Sequence, residues 1–439
     1  MSSDKSARSF LAARDARQAA LERALRQGWA TTVFLSLNIP GAEKMPPGAS
    51  ALLRWALAAV QQEYPQRVIF ENGVDALGGY AILGLESTPL AVKIWCVGVE
   101  TRIPAARLID LDVYTPDGTQ LGRQALAQPA RPCLLCPQDA VECMRLKRHQ
   151  PQEVIRQAEA CLAPWRMADL EAWSAALVDG ARRELYLTPK PGLVDRADCG
   201  SHPDLTLALM EQSIALVADY LAAMVRSLVS GEPFACQQQL GLAAERTLFR
   251  ALGTNTHKGY VFLSGMLLIA RWHAPSCAEA ALRATLGEQA AAFFRTGNAE
   301  ATHGRQAREK YNAGDKAGGI VDEAIRGYPA LFAEALPAFR RAIGQGLSEE
   351  AASFVMLARL MQTVDDTTTL HRGGAQALAR LKRDGRKLQT LIERGGDYPA
   401  YLVALNADYV SHNITLGGVA DMLGLAYACL LAAGELAPA

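Results

Sequence analysis

The chain has 439 residues, half of them hydrophobic, with 45 Lys+Arg against 45 Asp+Glu. That length fits two or three domains, each able to bury its own core. Zero net charge excludes a general nucleic-acid or membrane-surface binder, which needs a basic surplus, but leaves room for a local phosphate pocket.

In chain order, the charged start reads as an amphipathic helix over Ala12–Arg26, not as a signal peptide. β-rich runs follow at Thr32–Leu37, Val68–Phe70, Ala81–Leu85, Ala91–Val99 and Leu108–Tyr114, with a helix at Ala51–Gln62. This half reads as mixed α/β. From about Pro151, Ala/Leu-rich stretches with three- and four-residue spacing predict helices and almost no strand: Leu170–Tyr186, Leu205–Val229, Gly241–Leu252, Tyr260–His273, Ala278–Phe294, Leu331–Ile343, Glu349–Val364, Gln376–Arg394 and Val419–Ala433. The expectation is a multi-domain chain, α/β then all-α with a buried central helix or two, divided near residues 150–168. No apolar run approaches the roughly 20 residues that span a bilayer. A cytoplasmic location is expected, with the nine cysteines as thiols or metal ligands.

In the second half, polar clusters with glycine punctuate the helices: Thr188–Asp195, Gly253–Gly259, Thr302–Gly304, Gly318–Glu323, Asp365–Gly374 and Asn413–Asp421. Glycine admits a ligand to the backbone, helix N-termini offer N–H groups to anions, and Lys or Arg adds charge. Taken singly, each cluster reads as an ordinary cap or turn. Together they predict a polyphosphate site with Lys190, Asn255, His257, Lys258, Arg372, Gly373, Gly374, Asn413, Gly417 and Gly418 around the ligand. Asp195, Glu323 and Asp366 are acid/base candidates, and Asp365, Asp366 and Asp421 could hold Mg²⁺.

The segments TPKPGLVD (188–195), CGSH (199–202), NTHKG (255–259), EAIRGYP (323–329), DDTTTLHRGG (365–374) and NITLGGVADML (413–423) resemble the triphosphoribosyl-dephospho-coenzyme A synthase family, in that family's order. The resemblance implies an all-helical domain over 168–436 that joins ATP to 3′-dephospho-coenzyme A and releases adenine. Where the family commonly has an arginine, this chain has Val321.

In the first half, Asp110 and Asp112 are two residues apart in a predicted strand and so share a face, an arrangement that suits Mg²⁺. The competing reading is a solvated strand face. Cys133, Cys136, Cys143 and His149 could bind zinc. Their spacing is tighter than in a usual zinc finger, which leans toward free or packed thiols. The segments RDARQA (14–19), RLIDLDVYTPDG (107–118) and the cysteine run to His149 resemble the apo-citrate lyase phosphoribosyl-dephospho-coenzyme A transferase family, with Ala106 where the family tends to have glycine. The resemblance implies a nucleotidyltransferase-like α/β domain over 8–160. It would move the prosthetic group onto a serine of the citrate lyase acyl carrier protein (the gamma subunit) and release pyrophosphate, with Asp110 and Asp112 on the metal and Arg107 on phosphate. Three readings compete: the same chemistry serving malonate decarboxylase, an N-terminal module that only docks the carrier, and a helical hydrolase of ADP-ribose-type bonds.

Overall fold

The computed structural model describes residues 2–254, 256–295 and 319–437. The chain forms two compact units: Met1–Asp169 with Pro275–Ala278, and Leu170–Ala274 with Glu279–Ala439.

The first unit holds helix α1 (Ser2–Leu25), strand β1 (Thr31–Leu37), α2 (Ala49–Glu63), β2 (Val68–Asp75), β3 (Gly78–Leu85), α3 (Pro89–Thr101), β4 (Ile109–Tyr114), β5 (Gln120–Leu121) and the short α4 (Ala140–Arg145). Every strand pair is antiparallel, in the order β2-β3-β1-β4-β5. Alternation divides the sheet. Val33, Leu35, Leu37, Ile109, Leu111 and Val113 point into the main core, and Phe34, Tyr80 and Tyr114 meet Ala20, Leu21 and Ala24 of α1 on the other face.

Residues Ala91–Val99, expected as a strand, belong to helix α3. Pro89 at its start has φ preset for a first turn. Lys93 and Glu100, seven apart, therefore share one face and both reach Leu111: Lys93 Nζ donates to its carbonyl at 3.1 Å and Glu100 Oε1 accepts its N–H at 3.2 Å. In a strand, residues seven apart would face opposite ways.

Helix α5 (Pro151–Tyr186) runs through Pro164 and begins well before the Leu170 start expected. The second unit continues with α6 (Leu207–Val229), α7 (Phe234–Leu252), α8 (Lys258–His273), α9 (Glu279–Arg295), α10 (Gly319–Ile325), a π-helical stretch (Ala330–Ala335) leading into α11 (Leu336–Gly344), α12 (Glu349–Thr363), α13 (Thr367–Glu393), α14 (Tyr398–Ser411) and α15 (Gly417–Ala432). The caps are written in the sequence. Thr206, Ser348 and Asp397 each accept a backbone N–H from the first turn of α6, α12 and α14. Helix α8 and helix α15 are apolar nearly all round and buried along most of their length. Gly180 of α5 lets it press against α15, because a Cβ there would lie 2.3 Å from the Gly424 carbonyl oxygen. Buried tyrosine hydroxyls are satisfied: Tyr260 donates to Leu177 O at 2.6 Å and Tyr328 to Leu263 O at 3.0 Å.

Contrary to the expectation of no membrane-length segment, α6 is long and apolar enough to cross a bilayer. Its Ile214, Val217, Leu221, Met224, Val225 and Leu228 are buried in the helical core, the pattern of a core helix.

Candidate active sites

In the helical unit, a cavity of about 790 Å³ is lined by the starts of three helices: α8 at Lys258 and Gly259, α13 at Thr367 and Thr368, and α15 at Gly417 and Gly418. Their N–H groups and dipoles favour negative charge. Two cationic side chains join them. Lys258 Nζ lies 2.9 Å from Glu245, and Arg372 donates to Ser201 O at 2.8 Å and to Asn413 Oδ1 at 3.1 Å. Phe249, Phe262, Phe293 and Phe294 supply an aromatic side, with the Phe262 ring centroid 5.5 Å from that of Phe293.

His257 also lines the cavity, but not as a cation. Burial, aided by Lys190, pushes its pKa down to about 4, so the ring is neutral at physiological pH. Its Nδ1 lies 2.6 Å from Ser213 Oγ, and its buried Nε2 has no hydrogen-bond partner. The expected phosphate-binding charge is therefore replaced by a neutral hydrogen-bonding ring.

The carboxylates divide by use. Asp366 is buried and accepts the N–H of Thr369 at 2.8 Å and of Val419 at 2.9 Å, tying the starts of α13 and α15 together. Asp365 is ion-paired with Lys382 at 2.5 Å. Both line the cavity, and among the described residues Asp365, Asp366 and Asp421 are not gathered into a three-ligand metal site. Asp421 is different. Burial, then the charges of Glu184 and Asp366, raise its pKa well above the carboxylate range. Its Oδ2 occupies the space where a Cβ on Gly259 would be, 2.0 Å away. Glu323 lines the cavity, accepts the Ala330 N–H at 3.1 Å, and is raised by burial. Gly259→Ala is expected to displace the Asp421 carboxylate and destabilise the unit by about 1–3 kcal/mol, read as a lower urea midpoint.

Other expected residues fall elsewhere. Lys190 is a correction: its side chain is fully buried, bonded to the Glu184 carbonyl and 2.5 Å from Glu184 Oε1, and it does not line the cavity. Asp195 braces its own loop, accepting N–H groups from Lys190, Ala197 and Asp198. Gly373, Gly374 and Asn413 lie outside the lining. Gly374, at φ +67°, instead breaks α13 in a conformation only glycine adopts readily. Asn255 and the 302–304 cluster lie outside the described residues. The sequence reading missed Glu184, Glu245 and the aromatic side. The adjacent Phe293-Phe294 pair was the available signal. Val321 is in the lining, so the position where the resembled family has arginine does face the cavity.

In the first unit, Asp110 and Asp112 project together from β4, the sheet face shared with α1. Burial and then the Asp110 charge push the Asp112 pKa up to about 6, although Gln120 Nε2 donates to it at 2.7 Å. Arg131 lies 3.6 Å from Asp110 and also donates to the Ile109 carbonyl. With Lys93 and Glu100 on Leu111, it covers the edge of β4 that β5 leaves open. Arg107 donates to the carbonyls of Pro132 and Cys133. The Sγ atoms of Cys133, Cys136 and Cys143 and a ring nitrogen of His149 all lie within 4.8 Å of one another.

Two family models match the chain, in the order the motifs indicated. Residues 5–165 match that of the apo-citrate lyase phosphoribosyl-dephospho-CoA transferases. Residues 170–437 match that of the ATP:dephospho-CoA triphosphoribosyl transferases. Both are transferase families, and this chain is a transferase. With the second match covering more than half its length, the chain belongs to the ATP:dephospho-CoA triphosphoribosyl transferase family.

Proposed function

We propose that residues 168–436 build the citrate lyase prosthetic group and that residues 8–160 attach it to a serine of the citrate lyase acyl carrier protein. The observation that carries this is the cavity where three helix N-termini, Lys258 and Arg372 face an aromatic side. Its charged rim suits the triphosphate, and its aromatic side suits adenine. Dephospho-coenzyme A brings the 2′-hydroxyl. That oxygen attacks C1′ of the ATP ribose, the bond from C1′ to adenine breaks, and the triphosphate stays on C5′. The transition state carries oxocarbenium character. Asp421, whose burial favours the protonated form, gives a proton to the departing adenine. Glu323 takes the hydroxyl proton. His257 Nε2 offers one hydrogen bond to an uncharged part of the substrate. Asp365 and Asp366 face the cavity already bonded to Lys382 and to two helix starts, and no step here is routed through a metal.

In the first unit, the carrier serine oxygen attacks the α-phosphorus of the triphosphoribosyl product and pyrophosphate leaves. Asp110 and Asp112 fit Mg²⁺: burial and then the Asp110 charge raise the pKa of Asp112, and a cation would relieve both. When bound, Mg²⁺ would neutralise charge on the leaving pyrophosphate. ATP and dephospho-coenzyme A are soluble cofactor-pool metabolites, which supports a cytoplasmic setting.

The test incubates the protein with ATP, Mg²⁺, dephospho-coenzyme A and apo carrier. Adenine, pyrophosphate and a carrier mass increase are expected together. Adenine released without dephospho-coenzyme A would overturn the transfer in favour of hydrolysis. Faster labelling of a malonate decarboxylase carrier would overturn the acceptor. Asp421→Asn is expected to lower adenine release about 100-fold or more, the scale of a lost general acid, with the KM for ATP little changed.

A further inference from the structure

Outside both reaction sites, the first unit holds one cluster whose chemistry is unused. Cys133-Leu-Leu-Cys136 forms a tight turn in which Cys133 N–H donates to Gln138 O at 2.6 Å and Pro132 bridges to Asp139. Asp139 then accepts the Val141 N–H at 2.7 Å and starts α4, which carries Cys143 inward. His149 follows α4. Cys136 Sγ lies 3.5 Å from Cys143 Sγ and 3.3 Å from His149 Nε2. No disulfide forms, and Cys143 is buried. A tetrahedron with zinc–sulfur bonds of about 2.3 Å sets its ligand atoms roughly 3.8 Å apart. Four soft donors within 4.8 Å, on a backbone bonded to itself on both sides of the turn, are already near that shape.

We propose that Cys133, Cys136, Cys143 and His149 bind one structural Zn²⁺ that clips residues 131–149 beside β4. The soft donor set selects zinc over Mg²⁺, and four protein ligands leave no open position for catalysis. The clip has a definite consequence for the twin aspartates. The segment it closes carries Arg131, which reaches Asp110 and the Ile109 carbonyl, and it supplies the Pro132 and Cys133 carbonyls that hold Arg107. Zinc thus fixes Arg131 beside Asp110 and the carbonyls that hold Arg107. This second statement rests on the attachment reaction proposed above, whereas the metal site does not.

Elemental analysis of the full chain, purified under reducing conditions, is expected to give one zinc per chain. Cobalt substitution is expected to give thiolate-to-metal charge-transfer bands and tetrahedral d–d bands. Cys143→Ser is expected to lose the metal, whereas His149→Cys, which keeps four soft ligands, retains it and keeps the unit folded if Cys143→Ser unfolds. Metal-free protein with reduced thiols, or a Cys136–Cys143 disulfide in the peptide map, overturns the site. Chelated protein is expected to lose carrier labelling at least tenfold while adenine release in the helical unit persists. Zinc present but labelling unchanged on its removal overturns the link to the aspartates alone. Zinc present with no carrier labelling under any condition overturns the attachment reading and leaves the metal site standing.

Discussion

Asp112→Asn is expected to lower carrier labelling roughly 1,000-fold, the several kcal/mol supplied by a metal held on a transferring phosphoryl group, while adenine release continues at its normal rate. The two readouts separate because the aspartates and the helical cavity belong to different compact units. The variant preserves shape and the Gln120 contact, so its loss is one of charge. The pH dependence gives an independent check. Asp112 in the folded protein titrates at about 6, above an ordinary aspartate near 3.8. Between those values the folded chain holds a proton that the unfolded chain has released. The stability from this group is complete below about 3.8 and fades as pH rises through about 6. Magnesium binding must expel the same proton, so Mg²⁺ affinity is expected to rise by up to about tenfold per pH unit below 6 and to level off above it. Calorimetric titration from pH 5 to 8 would show this, and Asp112→Asn should flatten the curve. Equal labelling by the variant and the parent would remove the aspartates from the chemistry.

Lys190→Met is expected to cost about 3–5 kcal/mol, because it strands the buried Glu184 carboxylate without its partner. Glu184 is already raised by burial, with Lys190 holding it down. Without the ammonium it would take up a proton or let water in. The sequence placed Lys190 on phosphate, so the distinction matters. A structural role predicts a lower urea midpoint and an unchanged KM for ATP in the folded fraction. A phosphate role predicts normal stability and a raised KM. Adding Glu184→Gln is expected to restore much of the loss, since a neutral pair removes the stranded charge.

These two residues show what the sequence exposes and what it hides. Asp110 and Asp112 were legible because a period-two strand forces them onto one face, whatever surrounds it. The helical pattern of the second unit was legible because apolar spacing survives in any packing. Lys190 was not, since a lysine in a glycine-rich loop reads the same whether it meets a ligand or a buried glutamate 2.5 Å away. Glu184 lies in the last turns of α5 with nothing local to mark it as a cavity residue. The α3 error has a similar origin: Val, Ile and Trp in close succession mimic a buried strand, and only the seven-residue spacing of Lys93 and Glu100, both needed by Leu111, points to a helix. His257 was found by its motif, yet its charge state depends on burial that the motif does not encode.

The Asp366 carboxylate joins two helix starts, bonding to Val419, 53 residues further along the chain. The shared carboxylate closes a loop of roughly 50 residues, whose closure entropy grows only slowly with length. Without Val419 in place, Asp366 keeps only one of its two helix-start anchors. The two helix starts are thus coupled: loosening either one leaves a buried carboxylate short of a partner.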